Sequence, residues 1–487
     1  MKPVIQQMGA RQLGWLTATI LITGSFSASY KEIIRVSGID AWVTTVGPML
    51  YSLGLAYLIY KLATVFPGKN IFEICRMQLG NVGGGLINLI LILYFWMLLC
   101  KDLKGLTIFI KTMLLQRTPE EILLFTLFAV LIYFGRSSFE VAVRVNDIMF
   151  PIFMIMVATL PIFISNEFAF RDILPLFNDN LGEFAVTNIL TLGSYGDLII
   201  VGAFLHMVTV PRQVHTSIRY GILFGSFTST VFILITVAVL GPSIGGRSIY
   251  PLYMLVQSIH LTDFLDRIEI FFYSVWFPIF LFKIIATYHA ILNGLSSFFK
   301  GGNPAFFNKT LAWIVLLTSN FAIRNVVDLL AFVKVMPLFA IVLPYPLLIL
   351  LLVASRKRRS KGSKSNTGKD TPAEGTSHTK SEETNADPKK NRGSEPVKPF
   401  FERMTYPGIV RFATIMPVIS LISVIVGYFV GSSSPIAANI CAGTFFFCLL
   451  AGAVAGHFEL AKVTVPPQNQ EASSTQSGKE QGLSESN

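Results

Sequence analysis

The chain has 487 residues, 52% of them hydrophobic and 14% charged, with a mean hydropathy of +0.60. One water-facing core cannot bury that much apolar surface, so a soluble globular enzyme is excluded and the apolar residues must face lipid. The formal charge of +11 invites a nucleic-acid reading, but residues 355 to 398 alone hold twelve Lys and Arg against six Asp and Glu, without an aromatic-interleaved basic groove, so no nucleic-acid partner is expected.

A hydrocarbon core about 30 Å thick takes roughly 20 apolar residues per helix. Ten such runs succeed one another at about 12 to 36, 41 to 65, 85 to 113, 120 to 134, 147 to 165, 184 to 208, 214 to 240, 268 to 298, 309 to 323 and 327 to 354. The first is too long for a signal peptide and lacks a small-residue cleavage site, so it reads as a retained span. With the N-terminus cytoplasmic, Lys69 and Arg76, Arg136 and Arg144, Arg212 and Arg219, Lys300 and Lys309, and the basic cluster at 356 to 364 all fall on the inner side, as the positive-inside rule requires; the last cluster also suits contact with anionic lipid. The outer connections, 166 to 183 and 241 to 266, are long enough for a short interfacial helix or loop.

Residues 1–354 therefore read as a ten-helix permease-like domain, and 355–403, rich in Ser, Thr, Gly, Lys and Asn, as a disordered basic cytoplasmic linker. Residues 404–458 read as an extra two-helix transmembrane hairpin, with spans near 406 to 430 and 436 to 456, and 459–487 as a polar cytoplasmic tail. Gly427 with Gly431, and Gly452 with Gly456, have the small-xxx-small spacing that lets helices approach closely. The expected class is an all-α polytopic membrane protein of about twelve spans.

The first span passes through Thr23, Gly24, Ser25, Phe26 and Ser27 before turning charged at Lys31 and Glu32, and the sixth has a matching Leu192, Gly193, Ser194, Tyr195, Gly196, Asp197. Irregular backbone at membrane depth is tolerated only where it lines a protein-walled cavity. Two such interruptions five helices apart point to a midplane ligand site between inverted repeats, where half-helix ends offer free N–H groups to a carboxylate and carbonyls to an ammonium. An amino acid presents both charges. The residues from Thr23 to Ser27 and from Leu192 to Gly196 are the ligand-binding candidates. Intramembrane charges are costly and functional by default, which singles out Lys101, Asp102 and Asp197 as ion-handling or gating residues, with Lys104 close by. Glu269, Tyr273 and Trp276 share one face of the eighth span with Asp266. Cys75, Cys100, Cys441 and Cys448 lack CxxC or metal-finger spacing and read as small buried hydrophobes. There is no phosphate loop, HExxH or nucleophile elbow, so no enzyme activity, metal or cofactor is expected.

The stretch Ile249, Tyr250, Pro251 through Leu265, Asp266, Arg267, Ile268, Glu269, then Ser274, Val275, Trp276 and Lys283, resembles the eighth-helix region of the spore-germination permeases, the B subunits of nutrient germinant receptors. Ile39, Asp40, Ala41 and Trp42, then Leu174, Pro175 and Phe177, and Pro344 in the tenth span extend the resemblance over residues 8 to 357. It implies a ten-helix amino acid/polyamine/organocation transporter architecture, the LeuT-like 5+5 inverted repeat, in the inner membrane of an endospore. It also implies A-type and C-type subunit partners and a small nutrient ligand, commonly an amino acid. The chain departs from the family where Ser29, Tyr30 and Lys31 stand in place of a proline in the first span, and in its residues beyond the tenth span. The alternatives are a proton- or sodium-coupled amino acid permease and a ligand-free membrane scaffold.

Overall fold

The computed structural model describes residues 7–26, 29–168, 173–174, 176–177, 181–208, 210–259, 268–299, 304–365, 404–431 and 433–464. These are nearly all helical and include no strand. The first ten spans are built from α1 (Ala10–Phe26), α2 (Ser29–Ser37), α3 (Val46–Val65), α4 (Ile71–Phe109), α5 (Glu120–Arg136), α6 (Phe139–Phe163), α7 (Leu181–Tyr195), α8 (Pro211–Arg247), α9 (Pro251–Gln257), α10 (Ile268–Ser296), α11 (Asn308–Ala322), α12 (Val326–Val342) and α13 (Pro344–Ser365). A terminal pair follows, α14 (Tyr406–Gly431) and α15 (Pro435–Thr464).

Nine helices among the described residues are long and apolar enough to cross a membrane, so the chain is an integral multi-pass membrane protein. The remaining segments read as spans from the sequence, α1, α5 and α11, have 17, 17 and 15 residues and fall short of that length. At 1.5 Å per residue α1 reaches only about 26 Å; α2 follows from Ser29, and residues 27 and 28 lie outside the described residues. The sixth span also changes character, since α7 ends at Tyr195 and a 3-10 helix takes over from Gly196 to Met207. Two glycines with positive φ bend long helices: Gly80 in α4 (φ 77°) and Gly241 in α8 (φ 69°), a conformation that favours glycine. The Gly80 bend joins residues 71 to 79 to a helix expected to begin near 85. The second outer connection carries the short helix α9.

The core centres on α1 and α8, which approach closely because a side chain on Gly221 would collide with Thr17 and with the Gly14 carbonyl. Hydroxyl pairs tie neighbouring helices together, Ser37 donating to Thr187 at 2.6 Å and Thr45 bonding Thr230 at 2.6 Å.

Two expected boundaries move. Helix α13 continues to Ser365, eleven residues into the stretch read as linker; residues 366–403 lie outside the described residues. Glu459, expected to open a polar tail, is fully buried, and α15 runs on to Thr464. The reason is a partner: the Glu459 carboxylate pairs with the buried guanidinium of Arg219 on α8 and accepts from Thr216 at 3.0 Å and Tyr406 at 3.3 Å. Arg219 also donates to Thr414 on α14 at 3.0 Å. The hairpin thus packs on the ten-helix part, with Phe445 against Trp42 and Phe446 against Phe227. Of its two glycine pairs one meets a connection and the other meets neighbouring helices. Gly427 and Gly431 leave room for Phe177 of the outer connection, while Gly452 and Gly456 face Leu223 and Tyr220 of α8.

Glu459→Ala strands a buried guanidinium, a loss of about 3–5 kcal/mol. The expected result is a lower Tm for the purified variant in lipid nanodiscs, with much of the loss recovered in Arg219→Met/Glu459→Leu; an unchanged Tm in the single variant would show that the pair holds nothing.

Candidate functional site

At the depth where α1 and α7 end, four charges are buried together. Lys283 of α10 extends its Nζ to Asp197 Oδ2 (2.6 Å) and Asp102 Oδ2 (2.9 Å), and Lys101 Nζ lies 3.1 Å from Asp102 Oδ1 and 3.8 Å from Asp197 Oδ2. Asp102, Asp197 and Lys283 are fully buried and Lys101 nearly so. Two ammonium groups meet two carboxylates, so the quartet is neutral as a whole. Burial of single ions at this depth would cost several kcal/mol each; pairing makes it tolerable.

The interruptions converge on this quartet. Gly24 has no side chain to separate it from the charges: a Cβ there would stand 3.4 Å from both Lys283 Nζ and Asp197 Oδ2, and 3.1 Å from the Ser194 carbonyl. The Ser194 hydroxyl donates to the Gly24 carbonyl at 3.0 Å and lies 3.3 Å from the Ser29 hydroxyl. One serine therefore bridges both sides of the first interruption to the second.

Other candidates lie elsewhere. The Thr23 hydroxyl is spent within its own helix on the Thr19 carbonyl at 2.6 Å. Gly193 and Gly196 face α12, where side chains would meet Pro337 and Ala340; they are packing glycines, not neighbours of the quartet. Leu192 is half-buried, and Tyr195 is buried with its hydroxyl beside Ser226 and Ser229 of α8. Ser25 and Phe26 are described in backbone only, and Ser27 and Asp266 lie outside the described residues. Lys104 belongs to a separate pair with Glu120 and donates to Asn320 at 3.1 Å.

Aromatic layers close the quartet on both sides. Phe109 and Trp276 lie seven residues outward from Asp102 and Lys283 on antiparallel α4 and α10, about 10 Å away along the axes, and their rings are 6.0 Å apart. Tyr250, Tyr253, Tyr273 and Phe280 complete that layer. Glu269 is buried at the edge of this layer, so the stripe with Tyr273 and Trp276 faces the protein interior and not lipid. On the inner side Phe139 stacks on Phe204, with centroids 4.0 Å apart, and on Phe282 at 6.1 Å. Beyond it opens a polar cavity of about 220 Å³, lined among others by Arg136, Ser138, His206, His289 and Asn293.

Lys283 was not among the site candidates. Its signal was there: a lone cation within the apolar run Phe280, Leu281, Phe282, Ile284, Ile285 is functional by default. Tyr94, buried against both Asp102 and Asp197, carried no such signal.

This fold and this buried site define a permease-type membrane protein, and the comparisons agree. A family model described as spore germination protein, the spore permeases, matches residues 10–322; the chain belongs to that family. It is 24% identical over 319 residues to the protein YfkT of Bacillus subtilis (strain 168), described as a spore germination protein, covering 65% of this chain and 88% of the relative. It is 23% identical over 344 residues to spore germination protein KB of the same organism, covering 69% and 92%. Among solved structures, the nucleobase-cation-symport-1 transporter Mhp1, closed with bromovinylhydantoin bound, aligns with a TM-score of 0.53 and 12% identity over 93% of this chain and 94% of its own. The fold is that of the LeuT-type transporters.

Asp197→Asn removes one of two anions and leaves an unbalanced cation in the quartet, a loss of about 3–5 kcal/mol. Asp197→Asn/Lys101→Met restores neutrality, and its Tm is expected to lie above that of the single variant; equal or lower stability in the double variant would mean that charge balance does not govern this site.

Proposed function

We propose that the chain is the nutrient-sensing, permease-type subunit of a spore germinant receptor, acting as a ligand-gated switch and not as an enzyme. The observation that carries this reading is the convergence of two interrupted helices on a neutral buried quartet, between two aromatic layers, in a member of the spore germination family. A small nutrient enters past Glu269, Tyr273 and Trp276 and binds at the interruptions, contacting the backbone from Thr23 to Ser27 and the segment from Leu192 to Gly196. An amino acid suits a site of two ammonium groups and two carboxylates: in the nutrient-bound conformation its carboxylate pairs with Lys101 and its ammonium with the carboxylate that Lys101 releases, while Lys283 keeps its place. Ligand binding shifts the core only through differential affinity for two conformations, and A-type and C-type receptor subunits read the shift. The site of action is the spore inner membrane, with both termini cytoplasmic.

A second reading, an ion-coupled amino acid permease, is favoured by the polar inner cavity behind Phe139, which is where a released solute would go. Uptake of labelled amino acids into proteoliposomes separates it from the sensor.

Gly24→Ala places a methyl group against the Ser194 carbonyl and the quartet. In spores carrying the variant at normal membrane level, the nutrient dose response is expected to shift by tenfold or more, whereas Gly193→Ala, which presses on Pro337, should change stability ahead of sensitivity. Wild-type dose response in Gly24→Ala removes the site and leaves the ligand-free scaffold as the better description.

A further inference from the structure

Lys283 sits where a solute cation would be expected to sit in such a site. Half-helix ends at an interruption offer carbonyl oxygens that attract a cation, and two carboxylates at the same depth deepen the attraction. Here that position is taken. The Lys283 ammonium lies 2.6 Å from Asp197 and 2.9 Å from Asp102, and its Nζ is 3.4 Å from where a Gly24 side chain would begin. Lys101 supplies the second positive charge, leaving neither carboxylate without a counter-ion. All four groups are buried, so the arrangement is an internal one and not a surface network awaiting solvent ions.

We infer that Lys283 is a tethered counter-cation that replaces a dissociable monovalent metal ion between Asp102 and Asp197, so that the site is assembled without sodium. The inference rests on the reading of this site as the nutrient site only for its consequence, a nutrient response independent of sodium; the ion pairs stand without it. Covalent attachment has a physical advantage over a bound ion: the cation cannot leave when the helices move, so the charge balance survives each conformational cycle. It also removes the energy source that a sodium gradient would give a transporter, which favours sensing, or proton coupling, over sodium-driven uptake.

The experiment measures thermal unfolding of the full-length protein in lipid nanodiscs at constant ionic strength, with chloride salts of sodium, lithium, potassium, N-methylglucamine and methylammonium as probes. The wild-type Tm is expected to be the same in sodium, lithium and potassium; a saturable sodium- or lithium-specific rise overturns the inference. Lys283→Ala opens the position, and its Tm is expected to rise by about 2–5 °C as sodium or methylammonium saturates it. Absence of any cation response in a folded Lys283→Ala protein overturns it. Lys283→Ala/Asp197→Asn, which removes one charge of each sign, is expected to fold without added cation. If the single variant fails to accumulate and the double variant does, the counter-cation role is supported; if both fail, Lys283 is a packing residue and the inference falls. The readout is stability and not germination, so failure here and failure of the nutrient-sensing reading are separate results.

Discussion

The structure depends on one neutral cluster of charges kept out of water. Opposite unit charges about 3 Å apart attract by roughly 5–6 kcal/mol at an effective dielectric near 20, similar to the several kcal/mol that each ion loses on leaving water. Neither quantity dominates, so the cluster is viable only with its members held at bonding distance. Three separate helical segments must therefore stay in register: α4 with Lys101 and Asp102, the 3-10 helix after α7 with Asp197, and α10 with Lys283. Gly24 brings α1 up to them, with room for little more than a methyl group against the Ser194 carbonyl. The change in the sixth span and the charges are one feature: regular α-helix gives way to a 3-10 helix at Gly196, next to Asp197.

This constraint explains the layering. Between the quartet and each face of the membrane lies stacked aromatic carbon, Phe109 and Trp276 outward, Phe139 and Phe204 inward. Aromatic layers exclude water, which strengthens every interaction inside. They also mean that access to the site requires ring movement. The inner layer is the thinner of the two, a stack centred on Phe139 with a polar cavity directly behind it, whereas six rings close the outer side. Phe139 is the first residue of α6, next to the connection from α5, and its ring stacks on Phe282, the neighbour of Lys283.

Membrane class, span order and the change of helix type in the sixth span were legible because lipid imposes a simple rule, about 20 apolar residues per crossing, and because a Gly and Ser cluster at membrane depth stands out against Leu and Phe. Boundaries set by pairing were not. Glu459 looked like the start of a tail because its partner Arg219 is 240 residues away, and no local pattern announces that distance. The same limit applied inside the site. Gly24, Ser194 and Asp197 meet near Lys283, but Gly193 and Gly196 carry the same local signal while facing Pro337 and Ala340. A helix turns each successive residue by about 100°, so the six residues from Leu192 to Asp197 point to several partners, and sequence alone does not say which direction is inward.

The terminal hairpin lies outside the stretch that the family model matches. The family model ends at residue 322, and curated relatives are matched over 88% and 92% of their own length by 65% and 69% of this chain; α14 and α15 lie beyond the family match. Yet the hairpin is not appended loosely. Arg219 lies near the inner end of α8 and pairs with Glu459, while toward the outer side Gly427 and Gly431 make room for Phe177. Phe177 in turn donates its backbone N–H to the buried Asp40 at 2.9 Å, in the segment that joins α2 to α3. The hairpin thus contacts both ends of the core, and Phe177 links it to the connection immediately following α2. Restraint of α2 from outside acts without touching the quartet, and in the proposed sensor it would bias the core by changing only the relative stability of two conformations.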